Sequence, residues 1–318
     1  AMKYGSRNSL DVRDENDLGR YGLGLKMASM SQCRILTVIS KQNGETNGCQ
    51  WNLDYIANES KDWSLILLDE ETLEQFPNYE KIKNAEHGTL IIWQNLDRLA
   101  VGESQIEKVF RDKMAIIREH LSLVFHRYIS GETGLIKLNI RMNDRSIEPI
   151  DPFLTKKSTQ LMDEEIIVVR GKKVKVKPFI LPHTSKLTKA ELIQLGGKDG
   201  LRKLQGFYVY RNKRLLIWGT WVRLMRQGDL TKLSRVQVDI PNSLDDLWTL
   251  DIKKSTATPP EEVRNNLKTI MGKIAEGSRR TWTFRGKKEI SDKMVHVWNR
   301  KITRDGNVFY EVNNEHPM

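Results

Sequence analysis

Short apolar runs separated by polar turns dominate the first half of this chain, and their periods predict its elements. Residues 24–33 read as a helix. Residues 34–41 (Arg-Ile-Leu-Thr-Val-Ile-Ser-Lys) read as a strand ending in an Asn43-Gly44 turn, the usual signature of a two-residue hairpin. A second strand is expected over residues 48–55, with Trp51 and Leu53 on one face, and a third over 62–68. After an acidic connector, residues 87–93 form an apolar run entered through Gly88, expected to be a buried strand. Residues 106–130 change to helical spacing, with apolar side chains at Val109, Phe110, Met114, Ile117, Leu121, Val124, Phe125 and Tyr128. Residues 135–142 alternate again, turn at Asn143-Asp144 and leave through Ile147 to Pro152. The pattern is that of an α/β sandwich without its beginning.

Beyond Phe153 the texture shifts. Residues 165–169 and 173–180 predict a hairpin around Arg170-Gly171-Lys172, with lysines alternating against Val174 and Val176. Thr188 is placed to cap a short helix, and residues 206–217 predict two strands about a polar turn. A strand over 234–240, a helix over 259–276 opened by proline, and a pair of strands within 294–312 complete the order. The expected fold class is therefore α+β, in two domains, 1–153 and 154–318.

Charge sharpens this division. Residues 1–150 carry 19 Lys and Arg against 22 Asp and Glu, whereas residues 151–318 carry 33 against 19. The second half is strongly basic, as expected for a partner rich in phosphate. Two cysteines and scattered histidines supply no metal-ligand set. No run approaches the roughly 20 apolar residues that span a bilayer, so no membrane partner and a cytoplasmic location are expected.

Candidate chemistry concentrates in residues 18–41. Gly19, Gly22 and Gly24 alternate with Arg20, Tyr21 and Leu23 and are followed by Leu25 and Lys26. Glycines let a backbone approach an anion closely and turn several N–H groups toward it, so this run is a candidate phosphate cradle with Lys26 as its cation. It is not a P-loop, because Met27 stands where a magnesium-binding hydroxyl is needed. Nor is it a dinucleotide loop, because residues 11–17 are too polar for a buried parallel strand.

The run resembles the ATP-lid motif of the GHKL superfamily, the group of gyrase B, the ninety-kilodalton heat-shock chaperone, histidine kinases and MutL. Within it the MutL-like and MORC-like branch is nearest. Gly88-Thr89 before an apolar strand is similar to the family's adenine-site threonine, and the resemblance implies that role for Thr89. The run of residues 206–215, Gly-Phe-Tyr-Val-Tyr-Arg-Asn-Lys-Arg-Leu, resembles the strand pair of the MutL/MORC transducer domain. Residues 251–260 lie where that domain carries a lysine directed at the γ-phosphate, which implies Lys254, or else Lys253, in that role. The resemblance thus implies the C-terminal part of a GHKL α/β sandwich (the Bergerat-type ATP-binding fold) followed by a transducer-like domain.

One departure matters. The family's first helix, with its water-activating Glu and magnesium-binding Asn, and its Asp-x-Gly-x-Gly loop have no counterpart here. The chain is therefore expected to be a piece of a longer ATPase, with the Mg2+ ligand in a preceding segment and little hydrolysis by the piece itself. The expected function is an ATP-binding and ATP-hydrolysing switch acting on or near DNA, with dimerisation upon ATP binding. The competing reading is a nucleic-acid-binding or scaffold protein that keeps the fold without ATPase activity. Lys172, Lys173, Arg211, Lys213 and Arg214 are its phosphate-tracking candidates, with Trp282 and Phe284 as stacking rings.

Overall fold

A computed structural model of the chain describes residues 2, 17–19, 24–99, 105–158, 163–244, 249–250, 257–283, 287–288 and 297–314. The architecture is mixed α+β and divides into two compact units, Ala1–Arg13 with Gly19–Ala115, and Asp14–Leu18 with Ile116–Met318.

In the first unit, α1 (Gly24–Met30) leads into the hairpin β1 (Ile35–Gln42) and β2 (Glu45–Asn52). Asn43 and Gly44 take φ of 53° and 81°, the left-handed pair that a tight hairpin requires. The second strand stops earlier than its apolar pattern suggests. The Asn52 side chain accepts hydrogen bonds from the Asp54 and Tyr55 amides and so caps α2 (Leu53–Tyr55). Leu53 consequently lies in a helical turn, off the strand face that Trp51 occupies. Next come β3 (Ile66–Leu68), then α3 (Glu70–Glu74) and α4 (Tyr79–Lys83) in the acidic connector, and β4 (Gly88–Gln94). The sheet order is β3-β2-β1-β4, antiparallel throughout.

Antiparallel register fixes which side chains share a face. Leu36 pairs with Trp51 and Trp93, and Val38 with Cys49 and Ile91. That face carries the core of Cys33, Leu36, Val38 and Trp51, against which Leu25 and Met30 of α1 pack. The opposite face holds Ile39 with Leu73 from α3 and Tyr79 and Ile82 from α4. The expected burial of the strand over residues 87–93 is only half met. The strand β4 is an edge strand, and its Ile91 and Trp93 side chains are 46% and 42% exposed.

The longer stretch of the second unit begins at Ile116, partway along α5 (Ile106–Val124). This helix breaks at Phe125 before α6 (His126–Ser130), where a single helix was expected. Only the two-residue strands β5 (Arg141–Met142) and β6 (Arg145–Ser146) form around Asn143-Asp144. The main sheet comprises β7 (Glu165–Val169), β8 (Lys172–Ile180), β9 (Gly206–Arg211), β10 (Arg214–Thr220) and β11 (Ser234–Ile240). Helices α7 (Lys189–Gln194) and α8 (Gly197–Lys203) connect β8 to β9, and Thr188 with Glu191 makes the capping box of α7. The order is β10-β9-β11-β8-β7, with β9 and β11 parallel.

Further along are the short pair β12 (Thr249–Leu250) and β13 (Ala257–Thr258), the helix α9 (Glu261–Thr283), and a sheet of β14 (Lys287–Lys288), β15 (Trp298–Ile302) and β16 (Val308–Val312). Helix α9 buries Val263, Leu267, Ile270, Met271 and Ile274, a stripe at helical spacing that joins the β-sheet core. Trp282 is part of that packing. Its ring lies 4.9 Å from His183 and has the Lys232 ammonium 3.3 Å from its centre, so it is not presented for base stacking. Phe284 lies outside the described residues.

The expected boundary at 153/154 falls inside this second unit. Phe153 is 1% exposed, stacks on Phe179 at 4.8 Å and meets Tyr208 at 5.2 Å. The Asp-Pro-Phe sequence thus ends in a buried anchor, and Asp151 secures it by accepting from the Phe153 and Thr155 amides.

His126 beside this aromatic cluster gives a pH prediction. Its Nε2 shares a 2.8 Å hydrogen bond with the buried Tyr210 hydroxyl, and burial pushes its pKa down to about 4. The unfolded chain therefore binds the proton first as pH falls. Stability is complete above the ordinary histidine value and declines as pH falls toward 4, by about 3 kcal/mol in all. Urea unfolding at pH 7 and pH 4.5 should show a smaller loss for His126→Gln than for the wild type. Comparing a single variant cancels His120 and His183, which burial shifts the same way.

Candidate functional site

The glycine-rich run enters the described structure at Gly19 and again at Gly24, Leu25 and Lys26, while Arg20, Tyr21, Gly22 and Leu23 lie outside the described residues. Gly24 opens α1 in a helical conformation, and a Cβ built on it would meet nothing within 4 Å. A left-handed turn therefore does not account for this glycine. Lys26 is fully buried, and Leu25 packs into the core below. Ser29, also buried, accepts a 2.9 Å hydrogen bond from the Trp93 indole, which fixes α1 over the exposed strip of β4.

Thr89 lies on the same sheet face as that strip, because Thr89, Ile91 and Trp93 alternate along one strand. Its hydroxyl is 3.2 Å from the Ser40 hydroxyl directly across the ladder. Thr89 and Ser40 also line an open cleft of about 610 Å³ with Lys41, Glu86, His87 and Gly88. Register thus places the threonine and the helix after the glycine run on one face, four strand positions apart, a span of roughly 13 Å. Ile91 is the exposed apolar surface between them.

Lys253 and Lys254 lie outside the described residues. The five cationic candidates of the second unit separate by environment. Lys172 and Lys173 are exposed at the β7–β8 turn. Lys213 is half-buried, 3.8 Å from Asp239. Arg214 is half-buried with its guanidinium 5.3 Å from the centre of the Phe125 ring, and burial, aided by the charge of Arg211, lowers its pKa. Arg211 is 5% exposed and donates to the carbonyls of Asp17 and Leu18. The expectation of an Arg211/Arg214 surface is corrected accordingly: charge and sequence neighbours cannot reveal that the two side chains fold back on the chain.

A second concave surface, about 760 Å³, lies between α6 and β8. Its charges are largely matched, with Lys157 on Glu191 at 2.7 Å and Lys175 on Glu164 at 2.9 Å. Among the described residues there is no group of three or more His, Cys, Asp or Glu side chains placed to hold a metal ion. No described helix is long and apolar enough to cross a membrane.

No curated protein matches the chain. Among solved structures, the chain is similar to the 43K ATPase domain of Thermus thermophilus gyrase B in complex with an aminocoumarin. The identity is 13%, the match covers 82% of this chain and 70% of that one, and the TM-score is 0.30. Residues 1–89 match the family described as histidine kinase-, DNA gyrase B-, and HSP90-like ATPase. The segment carrying the glycine-rich run and Thr89 is thus similar to the GHKL-type ATPases, within a chain of mixed α+β fold.

Proposed function

We propose that the first unit binds ATP and forms part of an ATP-driven conformational switch of the MutL/MORC type. The observation that carries this reading is the family match over residues 1–89, which spans both the glycine run and Thr89. In this reading the backbone from Gly19 to Lys26 takes the phosphates, Thr89 serves the adenine, and Ile91 offers apolar surface between them. The residues present suit a nucleotide, since the space beside the Gly24 Cα is open and Thr89 is exposed. No residue of this chain is assigned to Mg2+.

The second unit would act as transducer, with Lys254 placing its ammonium against charge that develops on the γ-phosphate. Dimerisation on ATP binding and action on DNA belong to the same reading. The basic composition of residues 151–318 supports the DNA part, with Lys172 and Lys173 as the exposed contacts.

The test is Lys254→Ala in the intact protein. Turnover should fall about 100-fold or more while ATP affinity changes little, because a group aimed at the transition state lowers the barrier preferentially. If Lys253→Ala has this effect instead, the register is off by one. If neither substitution slows turnover, the transducer assignment fails.

A further inference from the structure

The strands β9 and β11 run parallel, so their carboxyl ends emerge side by side, with Arg211 opposite Ile240. Side chains from these two ends converge on two consecutive backbone carbonyls. Arg211 Nη1 donates to the Asp17 carbonyl at 3.2 Å and to the Leu18 carbonyl at 3.2 Å. Asn212 Nδ2 reaches the Asp17 carbonyl at 3.2 Å, and Asn242 Nδ2, just past β11, reaches it at 2.9 Å. A carbonyl oxygen has two lone pairs, so three donors on Asp17 saturate it.

The donors are themselves fixed. Asn212 and Lys213 hold φ of 46° and 62° in the turn, and the Tyr128 hydroxyl donates to the Asn212 carbonyl at 2.5 Å. Arg211 is buried, so its guanidinium needs acceptors within the fold, and the two carbonyls supply part of them. Leu18 is followed directly by Gly19, the first residue of the glycine-rich run.

We infer that Arg211, Asn212 and Asn242 form a clamp that fixes the backbone leading into the glycine-rich run. They are positioning residues for the Asp17 and Leu18 carbonyls, which directly precede Gly19. Their bearing on ATP rests on the function proposed above; the clamp itself does not.

The test is the double variant Asn212→Gly and Asn242→Ala in the intact protein. Glycine keeps the left-handed turn while removing one donor, and the buried guanidinium is left untouched. The readout is the rate of tryptic cleavage after Arg20 without nucleotide, followed by mass spectrometry, beside the melting temperature. Proteolysis tracks the population of locally opened chain, and each hydrogen bond removed shifts that population by roughly fivefold. The variant should be cut about tenfold faster or more at an unchanged melting temperature. Arg211→Lys should give a smaller increase, since an ammonium keeps the charge but not the planar fork.

An unchanged cleavage rate in the double variant overturns the clamp. Faster cleavage with weakened affinity for a non-hydrolysable ATP analogue supports the clamp and its bearing on nucleotide. Faster cleavage in a protein whose wild type binds no analogue upholds the clamp and removes the nucleotide reading instead.

Discussion

Arg127→Ala is expected to lower the unfolding free energy by about 3 kcal/mol, the low end of the range for breaking a buried ion pair. The Arg127 side chain is 6% exposed and its Nη1 lies 2.5 Å from Asp239, itself 12% exposed. Its Nη2 bonds Glu132 at 2.6 Å, its Nε bonds the same carboxylate, and the guanidinium lies 4.9 Å from the centre of the Tyr210 ring. Burial by itself would lower the Arg127 pKa, yet Glu132 and Asp239 outweigh it and raise the value. Removing the arginine strands the Asp239 carboxylate in a poorly solvated site. Lys213, 3.8 Å away, compensates in part, which places the estimate low. The contrast is Arg280→Ala, whose Glu276 pair is 78% and 60% exposed. That change should cost about 0.5 kcal/mol or less, as exposed pairs do. Chemical denaturation of both variants checks the ranking, and equal losses would refute it.

The Arg127 network joins residues far apart in sequence, which is why sequence reading could not find it. What was legible is local. The turns at Asn43-Gly44, Arg170-Gly171 and Asn143-Asp144 all carry positive φ, and each holds a Gly, Asn or Asp, the residues with low cost in the left-handed region that mark a turn. The Thr188 cap of α7 and the proline-led start of α9 were legible because each is written in neighbouring residues.

What was not legible depends on long-range placement. Asn52 ends β2 by capping a helical turn, although the apolar pattern continues through Leu53. Phe153 anchors an aromatic cluster whose other members lie after residue 178. The common face of α1 and Thr89 follows from the pairing of Ser40 with Thr89, a register that neither segment encodes alone. Arg211 and Arg214 read as surface cations until the β9–β10 hairpin turns one toward Asp17 and the other onto Phe125.

Gly24→Val is expected to weaken ATP binding to the intact protein by about 100-fold or more, through loss of close backbone approach to the phosphates. The fold should survive. Gly24 is helical and exposed, no atom stands within 4 Å of the added Cβ, and valine has a better helix propensity than glycine. Affinity loss at an unchanged melting temperature therefore reports on the ligand and not on folding. The decisive measurement is calorimetric titration of the intact protein with a non-hydrolysable ATP analogue, wild type beside Gly24→Val. Saturable one-site binding in the wild type, lost in the variant with its melting temperature intact, is the expected result. Equal binding in both proteins, or none in the wild type, would contradict the assignment of the glycine-rich run to nucleotide.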